Sequence, residues 1–121
     1  MARGKGAANM AESFTSPACL VGAMSVGVMS AAFVAVLQFA KPDSRGGTHA
    51  LLSRQSVADL LMDIKMRTDA ARFLTWKAAI VYDNGYGHGL GLCLEAKIYC
   101  SDLAVKSVVD ATSAVGVYNM T

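Results

Sequence analysis

The sequence is poor in several things at once. Lys and Arg number 11 against 9 Asp and Glu in 121 residues, a formal net charge of +2. Neutralising a run of nucleic-acid phosphates takes a far larger basic excess, so nucleic acid is not an expected partner. Aromatic residues make up only 7%, which argues against the aromatic-rich strands of a β-sandwich. The three cysteines, Cys19, Cys93 and Cys100, form no CxxC pair and are odd in number. That is neither a disulfide framework nor a zinc spacing, so no metal is expected and the thiols read as reduced and cytosolic. The glycines of "YDNGYGHGLG" (82–91) do not fall in the GxGxxG pattern of a dinucleotide fingerprint, and they follow a helical pattern instead of a strand.

What is present is apolar and small. Hydrophobic residues reach 54%, mostly Ala, Val, Leu and Met, a composition suited to helices packed closely through short side chains. The length suffices for one core and one domain. Residues 1–15 read as a flexible N-terminal segment and 16–121 as an all-α domain.

From Ser13 to Ala40 the chain carries no charge and, preceded by Arg3 and Lys5, is long enough to cross a bilayer, which takes about 20 residues. Ser16, Pro17, Ser25, Ser30 and Gln38 interrupt it, and neither end carries Trp or Tyr, the residues that mark a membrane interface. It therefore reads as a buried helix from about Pro17 to Ala40, in a cytoplasmic protein without a membrane partner. Pro17 suits the first turn because it has no amide hydrogen to lose. Gly22 and Gly27, with Ala23, Ser30 and Ala31, leave room for a neighbouring helix to approach.

Pro42, Asp43, Ser44, Gly46 and Gly47 break that helix, and Ser53 is the expected N-cap of the next. Over Ser53 to Tyr82, Val57, Leu60, Leu61, Ile64, Thr68, Ala71, Leu74, Ala78 and Val81 recur at helical spacing and predict a core stripe. A second stripe, Met62, Met66, Phe73, Trp76 and Ile80, lies elsewhere on the same helix. One small domain rarely covers both, which predicts self-association. Asp63 with Arg67 and Asp69 with Arg72 are spaced as surface ion pairs. After the glycine-rich loop a third helix is expected from about Leu90 to Val115, with Leu94, Ile98, Val105, Val108 and Val115 on one apolar stripe and Asp102, Lys106 and Asp110 paired at steps of four on another. The fold class is thus all-α, an antiparallel bundle of three long helices.

The polar residues of the two loops are the candidate chemistry. His49, His88, Asp83, Tyr82 and Tyr86 are candidate acid or base groups, with Arg45 as an electrostatic stabiliser; histidine titrates near neutrality and is the natural proton shuttle. Solvated loop histidines, and Asp83 with Asn84 as turn formers, explain the same residues.

Three stretches, "LVGAMSVGVMSAAFVAVLQFAK", "RQSVADLLMDIKMRTDAARFLTWKAA" and "AKIYCSDLAVKSVVDATSAVG", together resemble the C-terminal helical domain of the acyl-CoA dehydrogenase superfamily, over roughly residues 18–117. The phrases "KPDSRGG", "SVAD", "KIY" and "AVG" are most similar to its nitroalkane oxidase branch. The resemblance implies a four-helix domain, incomplete in this chain, that is completed by packing into homodimers or homotetramers. It also implies that Arg45 and Gln55 contact the diphosphate or adenine part of FAD. A guanidinium suits that task because its planar fork of donors matches phosphate oxygens.

Members of that family carry an N-terminal helical domain and a central β-domain ahead of this region, and an aspartate base beyond "AVGVYNMT". No counterpart of these is expected here. Three functions follow as expectations. The leading one is a stand-alone truncated domain, repurposed without a cofactor for isomerisation, cyclisation or elimination of a small apolar metabolite between helices or subunits. The alternatives are an FAD-binding part of a nitroalkane oxidase or acyl-CoA dehydrogenase-type flavoenzyme and a non-catalytic oligomerisation module.

Overall fold

The structure, a computed structural model, describes residues 5–15, 17–45 and 47–116; Arg3, Ser16, Gly46 and the last five residues lie outside them. Four α-helices and no strand occur among the described residues: α1 (Gly6–Thr15), α2 (Ala18–Ala40), α3 (Gln55–Asp83) and α4 (Gly89–Val115). A single 3₁₀ turn, Leu51–Ser53, precedes α3. Residues 6–15, which show no periodicity, are helical nonetheless. Pro17 stands just ahead of α2, where its carbonyl oxygen accepts from the amides of Leu20 and Val21. Ser53 is not the N-cap of α3: it ends the 3₁₀ turn, and Arg54 takes the capping position without a side-chain cap.

The long helices run up, down and up, so α2 and α4 are parallel to each other and antiparallel to α3. Three layers of core record this order. The lower layer joins Ala18, Ala78, Cys93 and Ala96. The middle one joins Val26, Met29, Ala71 and Cys100. The upper one joins Val36 and Ala40 to Leu51, Val57, Leu61, Ile64, Ala111 and Ala114. Gly22 permits the close approach of α2 and α4: a Cβ there would lie 3.5 Å from the Ala96 backbone and 3.3 Å from Thr75 Oγ1. Gly27 has no such role, with nothing within 4 Å of a Cβ built on it.

The core stripe of α3 matches its sequence pattern closely, with Val57, Leu61, Ile64, Thr68, Ala71, Thr75 and Ala78 buried. Two other faces differ from expectation. On α4, Leu94, Ile98, Val105 and Val108 are exposed, and the buried face is Gly89, Cys93, Ala96, Cys100, Ser107, Ala111 and Ala114. Small residues occupy it because α2 packs too close for branched side chains to fit between. On α2 the apolar circumference is covered on one side only. Ala18, Gly22, Val26, Met29, Val36 and Ala40 are buried, while Leu20, Met24 and Val28 face outward. By length and composition α2 would cross a membrane; in the fold it packs against α3 and α4.

Ion pairs link the surfaces. Arg67 reaches Asp63 one turn away and, across the helices, Asp110. Asp69 pairs with Lys65 and Arg72, and Arg72 also donates to Ser30 Oγ on α2 at 3.1 Å.

Candidate functional site

The up-down-up path decides which polar residues can meet. The α2–α3 loop and the end of α4 share the upper end of the bundle, while the α3–α4 loop lies at the lower end. The 29 residues of α3 separate the two by about 43 Å at the helical rise of 1.5 Å per residue. His49 therefore sits at one end and His88 at the other. The structure brings Arg45, His49 and Gln55 to the upper end and Tyr82, Asp83, Tyr86 and His88 to the lower, and does not gather the two sets in one protomer.

At the upper end Arg45 organises the loop. Its φ of 48° makes it the one non-glycine residue with positive φ among those described, a conformation that costs an L-residue about 1–2 kcal/mol. Asp43 offsets the cost: its Oδ1 accepts from the Arg45 amide at 2.9 Å, and its Oδ2 lies 3.6 Å from Arg45 Nε. The guanidinium lies over the Phe39 ring, 5.8 Å from its centroid, and donates to the carbonyl oxygen of Val115. A cation at a helix C-terminus meets the negative end of the peptide dipoles. Gly116 makes room for it, with a φ of 65° and a hypothetical Cβ only 2.9 Å from Arg45 Nη1.

In the same loop an open groove of about 270 Å³ is lined by Gly47, Thr48, His49, Ser53 and Arg54. It adjoins the start of α3, whose first amides have no side-chain cap. Gln55 stands on that first turn and donates to Asp59 Oδ1 at 2.8 Å. Hydroxyls, an imidazole, a guanidinium and uncapped helix amides form a donor set that matches the oxygens of a phosphate or diphosphate. The periodicity of the sequence gives no sign that Arg54, Phe39 and Val115 belong to this end. Only Gly116, placed just after α4 as a C-terminal glycine stop, could have signalled the helix end that Arg45 reaches.

The lower end is built differently. The Tyr86 and His88 rings stack with centroids 6.2 Å apart and planes 30° from parallel. Gly89 starts α4 in tight contact with α3: a Cβ there would lie 2.8 Å from Tyr82 Cα. Tyr82 is half-buried against the lower core, Asp83 is the exposed last residue of α3, and Asn84 donates to the Ile80 carbonyl at 2.7 Å. These are the contacts of a tight helical turn. A broader open groove of about 400 Å³ lies between α3 and α4, lined by Leu74, Glu95, Ile98, Tyr99 and Asp102. None of the residues singled out in the sequence as acid or base lines it.

The outer face of α3 completes the description. Met62, Met66, Phe73, Trp76 and Ile80 are all more than half exposed, and Phe73 and Trp76 meet edge to face with centroids 5.7 Å apart. With Asp69 they form a seam at alternating steps of four and three, on the side of α3 opposite its buried stripe, the spacing by which helices pair.

Comparison with known proteins agrees with this architecture. The family model described as "Acyl-CoA dehydrogenase, C-terminal domain" matches residues 4–121. A nitroalkane oxidase of Podospora anserina is 51% identical over 117 residues, covering 94% of this chain and 27% of that protein. Its solved structure superposes with a TM-score of 0.89 at 50% identity. A solved flavoprotein nitroalkane oxidase superposes over 92% of this chain and 26% of its own, with a TM-score of 0.87 at 40% identity. The chain thus spans about a quarter of the length of the relatives it matches.

Proposed function

Because this chain belongs to the acyl-CoA dehydrogenase family, through that family's C-terminal domain, we propose that it acts as the helical domain of a nitroalkane oxidase-type flavoprotein and that its upper end holds the diphosphate of FAD. The observation that carries the reading is the donor set of the α2–α3 loop, Arg54, His49, Thr48 and Ser53 beside the uncapped start of α3, with Arg45 in the same loop, its guanidinium on the Val115 carbonyl. The 51% identity to a nitroalkane oxidase supports it.

In this reading Arg45 and Arg54 neutralise the phosphates, the first-turn amides of α3 donate to them, and Gln55 takes the adjacent polar part of the cofactor. Bound FAD would supply the electron acceptor of an oxidation. The chain's own contribution is positioning and charge. The Asp43 carboxylate and the Phe39 ring hold the Arg45 guanidinium in place, so little side-chain freedom remains to be lost on binding. The exposed seam of α3 gives the expected homodimer or homotetramer, or a further domain, an apolar face to use.

Cofactor-free acid–base chemistry finds less support. The proteins it resembles are flavin-linked oxidases and dehydrogenases, and within one protomer α3 holds His49 and His88 a helix length apart, so a site using both would have to form between subunits.

The test is a titration of the purified chain with FAD, followed by flavin fluorescence and by retention of the absorbance band near 450 nm after removal of free cofactor. Saturable binding that weakens at least about tenfold in Arg45→Ala and in Arg54→Ala, the loss expected for one charged contact, would support the reading. Binding that is absent, or indifferent to both substitutions, would overturn it.

A further inference from the structure

The lower layer of the core holds two thiols on different helices. Cys19 on α2 is partly exposed and Cys93 on α4 is fully buried. The parallel register of α2 and α4 sets them side by side: Gly22 packs on the Ala96 backbone, and one turn earlier on each helix stand Cys19 and Cys93. Both sulfurs address the same turn of α3. Cys19 Sγ donates to the Thr75 carbonyl at 3.4 Å and Cys93 Sγ lies 4.0 Å from that of Ala78. Cys19 packs against the buried cluster to which Cys93 belongs. Small neighbours, Ala18, Gly22 and Ala96, keep the two helix backbones close, as a disulfide requires. Cys100 lies one layer higher, on the other side of Thr75, with its Sγ 3.4 Å from Thr75 Oγ1 and 3.6 Å from the Ala71 carbonyl.

We propose that Cys19 and Cys93 are a redox pair, closed by peroxide into a disulfide that ties α2 to α4. The exposed member reacts first. The Cys19 thiolate attacks one peroxide oxygen, the O–O bond breaks, and sulfenic acid and one water result. The Cys93 sulfur then displaces the sulfenic oxygen as a second water, and the S–S bond forms. Two thiols lose two hydrogens and two electrons, and one peroxide becomes two waters. The neighbourhood keeps the resting pair reduced: burial first, then the Cys93 and Cys100 thiols, push the Cys19 pKa above its usual value. The thiolate is the reactive form, so closure speeds up as pH rises. The pair makes no use of the flavin site and stands whether or not the chain binds FAD.

The test is a thiol map of the purified chain after exposure to hydrogen peroxide. Remaining thiols are blocked with N-ethylmaleimide in denaturant, and the chain is cut with trypsin without reduction. Lys41 precedes Pro42 and resists the protease, so the three cysteines fall on separate peptides, 6–45, 78–97 and 98–106. The expected product joins 6–45 to 78–97 with a mass about 2 Da below the sum. It forms within one chain on a non-reducing gel, reverses with dithiothreitol, persists in Cys100→Ala, and appears faster at higher pH. In Cys93→Ala the Cys19 sulfenic acid should instead be trapped by dimedone. Oxidised Cys19 without a cross-link in the unsubstituted chain, a cross-link through 98–106 or between two chains, or thiols left fully blockable by maleimide would each overturn the proposal.

Discussion

Arg45, in the loop after α2, donates to the carbonyl oxygen of Val115 in the last turn of α4. Segments far apart in the chain are thereby closed into one end of the bundle, and the contact depends on a glycine next door.

Gly116→Ala should cost about 2 kcal/mol, from the strain of a Cβ at positive φ and its contact with the guanidinium. Arg45→Ala should cost about 1 kcal/mol through the lost charged hydrogen bond, discounted because the arginine is partly exposed. The double substitution should cost less than the sum, since removing Arg45 removes the clash. Urea denaturation of the four chains measures the coupling; strict additivity would show that the two residues do not meet.

Two other glycines should respond in opposite directions. A Cβ at Gly89 would lie 2.8 Å from backbone atoms of Tyr82, which cannot turn aside, so Gly89→Ala should lower stability by about 2 kcal/mol or more. Gly27 lies in the middle of α2 with nothing within 4 Å. Gly27→Ala should therefore raise stability by about 0.5–1 kcal/mol, the helical preference of alanine. Thermal midpoints that move the same way for both would contradict the packing described.

Asp69 should add a small pH dependence to stability. The hydrogen bond from Lys65 holds its carboxyl below the usual aspartate value, helped by the charges of Lys65 and Arg72. A depressed pKa in the folded state gives stability that is fully present above the unfolded value and is lost as pH falls through the folded one. Asp69→Asn should therefore flatten the loss of stability in that acidic window while changing little at neutral pH beyond the missing surface pair. Identical acid profiles for the two chains would refute the assignment.

Much of the scaffold could be read from the sequence for definite reasons. Pro17 and the break around Pro42 and Gly47 bound α2, and the glycines after Asp83 bound α3 and α4. Both stripes of α3 were visible because large apolar residues mark them. The inner face of α4 was not, because the rule that large aliphatics go inside fails where two helices cross closely. There Ala96, Cys100 and Ser107 fill the seam, and Leu94, Ile98 and Val105 are turned outward. The contacts of the upper end were legible only in part. The resemblance pointed to Arg45 and Gln55, whereas Val115 and Phe39 join Arg45 only through tertiary folding. The separation of His49 from His88 also required the fold, since residue types alone do not say at which end a loop lies.

The outer seam of α3 also bears on how the molecule behaves as a machine part. Its buried and exposed stripes lie on opposite sides of one rigid rod, so a slide or roll of the rod that disturbs one disturbs the other. A cavity cut at Ile64 or Ala71 should therefore also shift Phe73 and Trp76 on the exposed side, and a partner seated there would rest on the same rod. Anything that held the outer seam would thereby also restrain the helix whose other side is the core.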